Sequence, residues 1–550
     1  MKFKYTISIV PLLAFVLCTV LFSACSTIRY KEKADIEAYK LIKEKASEVQ
    51  GMTEDTNIEP KDAANLSDLP IQNDSYPFLG IESESEVGAK ILTLEKALET
   101  AFSHSREYQA RKERLYLQAL SLSLERHRFD PIFDGSIEGT ATWDEGLGED
   151  FVDGRTRFSV QQLMKTGGLV TVGLTSNFFR YLTGDPDESA SSSLVATVTQ
   201  PLLNGRGRKI ALENLTQAER NLLYEVREFT RFRKIFAVRV ASNYYSVLSN
   251  KDTVRNNYLG VKSFNLSLER EEAFEAEGER TPGEVGRLRQ SKLSRESSWI
   301  DSINRYQKSL DDYKILLGLS TDAKIILDDH ELEAITITGI VMPEMNLKEA
   351  TDIALTTRLD LYTYVDLVQD TERKIIVASN GLLPKMDLLL TSNIPTKTGN
   401  RISALDFSDR RFSAGIDLVL PFDQKSKRNN YRRALIDLDV RRRSAALNID
   451  LVKLDVRNSW RNLEQAKRNY EIGLKSIQLN EDRVEEVNLK AELGLGSILD
   501  QVDAQNDLTN AQTSVTNSLV RQKISMLEFW RDIGVLYIQE NGQWEKLPDA

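Results

Sequence analysis

The chain is 550 residues long, carries a net charge of -10 with 28% charged residues, and contains 2 cysteines and 3 histidines. The acidic balance argues against a nucleic-acid partner. Cys18 and Cys25 are its only thiols, and His104, His127 and His330 are far apart in sequence. No disulfide framework, metal site, cofactor or catalytic residue is therefore expected, and the chain does not read as an enzyme.

Lys2 and Lys4 open a leader whose stretch from Ile7 to Val20 is almost wholly apolar, followed by Leu21-Phe22-Ser23-Ala24 and Cys25. It reads as a secretory signal over 1–24 and not as a span, because it ends in small residues and no second long apolar run follows. Leu21 to Cys25 resembles the bacterial lipoprotein cleavage box, which implies an acylated Cys25, and Ser26 beside it implies export to the outer membrane. Each buried methylene is worth roughly 0.8 kcal/mol, so two or more acyl chains would anchor the protein at outer-membrane lipid. Ordinary cleavage near Ala24, with Cys25 unmodified, is the alternative. Residues 25–90 are polar, carry Pro60, Pro70 and Pro77, and show one short helical patch near Ile36 to Val49. They predict an extended, lipid-anchored tether.

Beyond the tether the prolines parse the chain. Pro131, Pro201, Pro282, Pro384 and Pro421 mark boundaries, and no proline lies between 202 and 281 or between 422 and 547. An interior proline costs a helix about 3 kcal/mol, so those gaps are where long helices fit. Leu215, Leu222, Phe229 and Phe236 recur every seven residues, with Leu212, Val226 and Val240 beside them, and Val440, Leu447 and Leu454 repeat the pattern with Leu451 and Trp460. Heptads of this kind predict helices packed side by side in coiled-coil fashion. A helix from about 207 to 277 would measure on the order of 105 Å.

The chain also reads as written twice. Ala97, Ala101 and Pro131 align with Ala350, Ala354 and Pro384 at an offset of 253, Pro201 and Arg208 with Pro421 and Arg428 at 220, and Gly278, Thr281, Glu284 and Gly318 with Gly494, Ser497, Asp500 and Gly534 at 216. Each half thus predicts helix, strands, very long helix, turn, helix. The first repeat spans 91–322 with strands over about 131–200, a linker covers 323–346, and the second repeat spans 347–537 with strands over about 384–421. Residues 538–550 form a C-terminal tail. The falling offset places an insertion of about thirty residues in the first strand region, between about 144 and 192. Whether that insertion adds strands or forms a loop is open, although Lys165-Thr166-Gly167-Gly168 would suit a hairpin turn.

Both strand regions alternate. Phe133, Gly135, Ile137, Gly139, Ala141 and Trp143 share one face, opposite Asp134, Ser136, Glu138, Thr140 and Thr142, and Phe412, Ala414, Ile416, Leu418 and Leu420 oppose Ser413, Gly415, Asp417 and Val419. Apolar-out, polar-in alternation is what a membrane barrel strand requires, and a half-buried soluble sheet would look the same. Closure separates the two readings: two hairpins from one chain leave open edges that lipid does not tolerate, so several copies must share one barrel.

Thr281-Pro282-Gly283-Glu284 and Ser497-Ile498-Leu499-Asp500 each place a hydroxyl at an N-cap and a carboxylate three residues on, after a helix-ending glycine, Gly278 or Gly494. They predict two helical hairpin tips. The stretch Leu493-Gly494-Leu495-Gly496-Ser497-Ile498-Leu499-Asp500-Gln501-Val502-Asp503-Ala504-Gln505, with Leu508 and Ala511 after it, resembles the tip motif of the TolC family of outer-membrane factors. Gln200-Pro201-Leu202-Leu203-Asn204-Gly205 and Leu316-Leu317-Gly318 resemble its strand-to-helix corner and its closing turn. With the duplication, the resemblance covers roughly residues 92 to 537.

The resemblance implies a mainly α fold with a transmembrane β-barrel segment, assembled as a homotrimer with an α-helical barrel and one shared β-barrel. Two shorter helices, here about 94 to 128 and 282 to 317, would stack end to end beside each long one. It further implies an outer-membrane channel reaching into the periplasm, working with a periplasmic adaptor and an inner-membrane transporter in efflux or type I secretion. Asp500 and Asp503 match positions that ring the periplasmic aperture, and their i, i+3 spacing puts both on one helix face. A role limited to capping and to the helix dipole is the alternative for them. Gly278, Arg280, Thr281, Gly494, Leu495 and Ser497 are the candidate tip and adaptor-contact residues. Where the family often has a basic residue before the cap, this chain has Arg280 in the first repeat and Gly496 in the second. Gly205-Arg206-Gly207-Arg208 lacks the spacing of a phosphate loop and reads as a tight corner. The basic cluster Lys425, Lys427, Arg428, Arg432, Arg433 and Arg441 to Arg443 reads as a solvated helix face, with contact to anionic headgroups or a place in the duct lining as the alternatives. The competing reading of the whole chain is an anchored coiled-coil spacer or adaptor lipoprotein without a pore, which explains the heptads but not strands recurring in both halves.

Overall fold

The computed structural model describes residues 27–52, 56–59, 66–144, 149–183, 188–397, 405–493 and 495–545. The signal, Cys25 and Gly494 lie outside the described residues. In chain order the elements are α1 (Thr27–Ala46), β1 (Lys90–Leu92), α2 (Leu94–His104), α3 (Arg106–His127), β2 (Ile132–Asp144), β3 (Glu149–Leu163), β4 (Leu169–Tyr181) and β5 (Glu188–Pro201). There follow α4 (Glu213–Ala276), α5 (Pro282–Leu317), β6 (Ile325–Leu327), α6 (His330–Thr338), α7 (Leu347–Thr357), α8 (Leu359–Asn380), β7 (Lys385–Pro395), β8 (Arg411–Val419), α9 (Lys425–Glu492) and α10 (Ile498–Asp532). The two proline-free gaps are filled by helices of 64 and 68 residues. Along α4 the heptad side chains Leu222, Val226, Phe229, Phe236 and Val240 are at most 1% exposed.

The chain divides into two compact units. The first holds residues through Glu48, Leu115–Glu225 and Thr363–Ala445. Its centre is a six-stranded antiparallel sheet in the order β2-β3-β4-β5-β7-β8. The insertion of the first repeat is therefore a hairpin, β3–β4, and not a loop. Register puts Phe133, Val160, Val172, Ala196, Ser392 and Phe412 in one row across all six strands, with Gly135, Phe158, Leu174, Leu194 and Ile394 in the next. The apolar sets read separately in the two repeats thus share one face. Asp134, Ser159, Gly173, Val195, Asn393 and Arg411 form a row on the opposite face. Phe133, Ile137, Trp143, Phe412 and Ile416 are exposed, so this face packs on no core of its own chain. The same unit joins the start of α4 to α8 through Arg220, which contacts Asp366 at 3.0 Å and Asp370 at 2.5 Å, and through Arg373, which contacts Glu213 at 3.1 Å and Asp370 at 2.9 Å.

The second unit holds Val49–Arg114, Val226–Tyr362 and Ala446 onward. Its aromatic core joins Phe102 and Tyr108 to Phe229, Phe232 and Phe236 at centroid distances of 4.6–6.1 Å. The duplication reappears in its backbone. In each repeat the first helix breaks at one extended residue, Ser105 (ψ 127) or Arg358 (ψ 118), and the last helix ends on a left-handed glycine, Gly318 (φ 82) or Gly534 (φ 85). A Cβ on Gly318 would fall on the carbonyl oxygen of His104, and one on Gly534 would lie 2.8 Å from Thr357 Oγ1. His104 and Thr357 are themselves 253 apart, so each terminal helix abuts the break of its own repeat. This is the end-to-end stacking of shorter helices that the family resemblance implies.

The N-terminal segment departs from that expectation. It is not simply extended: α1 buries Ala38, Leu41 and Ile42, whose i, i+3, i+4 spacing makes an apolar stripe. In the first unit Tyr116 donates to Asp35 at 2.7 Å and Arg126 to Glu44 at 3.1 Å. In the second, Trp299 Nε1 donates to Phe78 O and Tyr306 to Glu86 Oε1, each at 2.7 Å. The C-terminal tail is likewise tied, because the buried Arg233 guanidinium donates to Ile538 O at 3.0 Å and Gln539 O at 2.8 Å. The linker contains β6, which pairs in parallel with β1.

Lys234 is buried beside Arg233 and donates to Gly534 O at 2.7 Å. Desolvation, with Arg233 adding repulsion, pulls its pKa from 10.5 down to about 8. Between those values the unfolded chain holds a proton that the folded chain has released, so this lysine's contribution to stability rises with pH across that window. Lys234→Met is expected to abolish that rise, as checked by unfolding midpoints at pH 7 to 10.

Candidate functional site

Two chain reversals of the second unit form the candidate site, and each begins with the same helix stop. After α4 the Glu279 amide reaches back to Phe274 O at 2.9 Å around Gly278 (φ 79), and after α9 the Leu495 amide reaches Lys490 O at 2.9 Å. These six-residue closures satisfy carbonyls that the helix end leaves open. At the first reversal Thr281 accepts from the Glu284 amide at 3.3 Å and the Glu284 carboxylate accepts from the Thr281 amide at 3.0 Å. Those bonds hold the exposed Glu284 carboxyl below its usual pKa. The second reversal differs: Ser497 accepts from the Leu499 amide at 3.2 Å, and the reciprocal capping box with Asp500 is not formed.

The departure at Gly496 has a steric cause. A Cβ there would stand 2.9 Å from the Ala491 amide nitrogen and 3.1 Å from its Cα, backbone atoms that cannot swing aside. The turn is too tight for the arginine found at Arg280. Arg280 itself points inward and contacts Glu271 at 2.9 Å.

The two reversals pack on each other. Phe264 and Leu268 of α4, Val285 and Leu288 of α5, and Ile498 and Val502 of α10 form one buried cluster. Beside it lies a polar network that sequence inspection missed. Glu271 is 0% exposed and accepts from Arg280 Nε at 2.9 Å and from Gln501 Nε2 at 3.2 Å, while Arg270 donates to Gln501 Oε1 at 3.1 Å. The only sequence signal for it is a run of charged residues, Glu269 to Glu272, near the end of a helix that is otherwise heptad-patterned.

This network fixes the rotation of α10. Gln501 is held inward, so Asp500 and Asp503 on either side of it face outward and are exposed, with Asp507 one turn further on the same side and 2.6 Å from Arg483. Lys490 lies at the end of α9, and Glu486, with Asp500 at longer range, keeps its pKa above the usual lysine value. Leu493, Leu495 and Leu499 are exposed around the second reversal, Leu495 to 79%. The predicted site residues Gly278, Arg280, Thr281, Leu495, Ser497, Asp500 and Asp503 therefore belong to one packed end. Among the described residues no group of three or more His, Cys, Asp or Glu side chains is arranged to hold a metal ion. No helix among them is long and apolar enough to cross a membrane.

No protein-family model matches the sequence, and no curated protein matches it significantly. Solved structures do match. VceC, the outer membrane protein of Vibrio cholerae, superposes with a TM-score of 0.60 at 14% identity, covering 80% of this chain and 96% of that one. The Campylobacter jejuni CmeC outer membrane channel gives 0.60 at 12% identity, covering 87% and 94%. The open state of the Neisseria gonorrhoeae MtrE outer membrane channel gives 0.55 at 13% identity, covering 87% and 98%. The agreement runs over nearly the whole of each relative, and the chain has the fold of the TolC-type outer-membrane channels.

Proposed function

We propose that this chain is one protomer of a trimeric outer-membrane channel, a passive duct for efflux or secretion that works with a periplasmic adaptor and an inner-membrane transporter, and that it is not an enzyme. The observation that carries this reading is the six-stranded sheet with one continuous apolar face and two unpaired edges, β2 and β8. An uncovered apolar face of that extent suits lipid, and open edges in lipid must be closed by further copies. Both elements that flank those edges carry exposed heptad stripes. Leu117 and Leu124 stand on α3, which leads into β2. Val440, Leu447 and Leu454 stand on α9, which follows β8, and are 42%, 58% and 46% exposed. One edge bearing a helix stripe meets the other in a head-to-tail contact that closes into a ring.

Replacing Leu447 and Leu454 together by glutamate is expected to convert the detergent-extracted trimer into helical monomers, read by native mass and circular dichroism. An unchanged trimer would contradict the ring. In this reading the reversals form the periplasmic end, where three copies of Asp500 and Asp503 concentrate six carboxylates, and the exposed leucines with Gly494 and Ser497 offer the adaptor contact. Replacing both aspartates by alanine is expected to weaken block of the conductance by divalent cations. Equal block in the variant would return them to a solvated helix face. Anchoring through Cys25 is part of the same reading and is tested by acyl-chain mass on the mature N-terminus.

A further inference from the structure

The internal duplication pairs β2 and β5 of the first repeat with β7 and β8 of the second, because the prolines that precede and follow each set align (Pro131 with Pro384, Pro201 with Pro421). The β3–β4 hairpin has no counterpart in the second repeat. Its strands are 15 and 13 residues long and run in unbroken antiparallel register with each other and with β2 and β5. We propose that this added hairpin is a structural part of the barrel wall, so that the trimer closes an eighteen-strand pore whose calibre the hairpin sets. The inference rests on the trimeric-channel reading above and deepens it.

Three observations support a wall and not a plug or surface loop. The hairpin is amphipathic in phase with its neighbours: Val152, Phe158, Val160, Val172 and Leu174 extend the apolar face, whereas Asp153, Arg155, Arg157, Thr175 and Asn177 extend the polar one. A segment folded into a water-filled lumen would have no use for an apolar face. On the polar side Arg155 Nε donates to Asn177 Oδ1 at 3.1 Å, which joins the two added strands across the face.

The turn is also fitted to the strand-to-helix corner of this chain. Gly167 (φ 93) leaves no room for a Cβ, which would stand 2.5 Å from Gly205 O. The Gly207 amide donates to Thr166 O at 3.0 Å, and Thr166 Oγ1 donates to Gln200 Oε1 at 3.1 Å. Such a turn is locked to the same end of the sheet at which β5 hands over to α4. Finally, a hairpin adds two strands, so the direction of every other strand is kept and the edges β2 and β8 can still close on the next copy.

Strands about 4.8 Å apart and tilted about 40° give a barrel roughly 36 Å across at eighteen strands, against roughly 24 Å at twelve. The first is the calibre range of barrels that hold an aqueous channel.

Imaging of the full chain in detergent or nanodiscs, with copy number and strand count read separately, decides the matter. Three copies around an eighteen-strand ring is the expected result. Three copies around a twelve-strand ring would overturn the inference and leave the trimeric channel standing, and any other copy number would overturn both. A second measurement needs no deletion. In the full chain in liposomes, Thr175→Cys is expected to react with a charged, water-soluble maleimide at least tenfold faster than Leu174→Cys. Similar rates at both positions would place the hairpin outside the wall and overturn the inference.

Discussion

Replacing Glu271 by alanine is expected to cost about 3–5 kcal/mol and to loosen the hairpin end while leaving the sheet intact. The carboxylate is fully buried and is the shared acceptor for Arg280 and Gln501, so its removal strands a buried guanidinium and frees the side chain that sets the rotation of α10. Asp500 and Asp503 would then lose their fixed outward orientation. In recordings from reconstituted channels the variant is expected to show a higher resting conductance with weaker cation block than the parent. Glu271→Gln, which keeps an acceptor for Gln501 but no charge for Arg280, should fall between the two. A Glu271→Ala protein with parental block and parental thermal midpoint would show that the network does not hold the end together.

The second large effect is expected at Gly318. Alanine there meets two penalties at once: a left-handed backbone, worth roughly 1–2 kcal/mol, and a Cβ placed on the His104 carbonyl oxygen, which must move the α5 terminus or the α2–α3 break. Together these are expected to reach on the order of 4 kcal/mol, seen as a large fall in thermal midpoint and in yield of folded protein. Gly278→Ala is the matched control, since it has the same positive φ but open space around it, and it should lose only about 1 kcal/mol. Equal losses at the two positions would mean that the close approach to His104 contributes nothing.

These two sites show how far the sequence reaches. Long helices were legible because proline is absent where a helix must be continuous, and the helix bounds 282 to 317 coincide with α5. The strand faces were legible because alternation of period two survives in each repeat, and register then places both apolar sets on one face. The duplication was legible at Gly318 and Gly534, which both proved to be left-handed helix ends.

What stayed hidden depends on contacts distant in sequence. The β3–β4 hairpin is not fixed by its own sequence, because Lys165-Thr166-Gly167-Gly168 signals a turn without saying what the turn rests on, and Gly205 lies almost forty residues on. Glu271 looks like any charged residue near a helix end, and its partners come from the first reversal (Arg280) and from α10 (Gln501). In the N-terminal segment the helical patch near Ile36 to Val49 is legible, but not that Tyr116 and Arg126 hold it through Asp35 and Glu44. At Ser497 the spacing of hydroxyl and carboxylate matched a capping box, yet the turn forced by Gly496 directs the serine to Leu499 instead.

The central claim is that several copies of this chain enclose one water-filled duct across a membrane. Its most direct test is single-channel recording of the purified, detergent-extracted full chain in a planar lipid bilayer, with the mass of the inserted particle measured in parallel. A trimer that gives discrete, cation-sensitive conductance steps is expected. A monomer that inserts without any conductance would contradict it and favour the pore-free spacer.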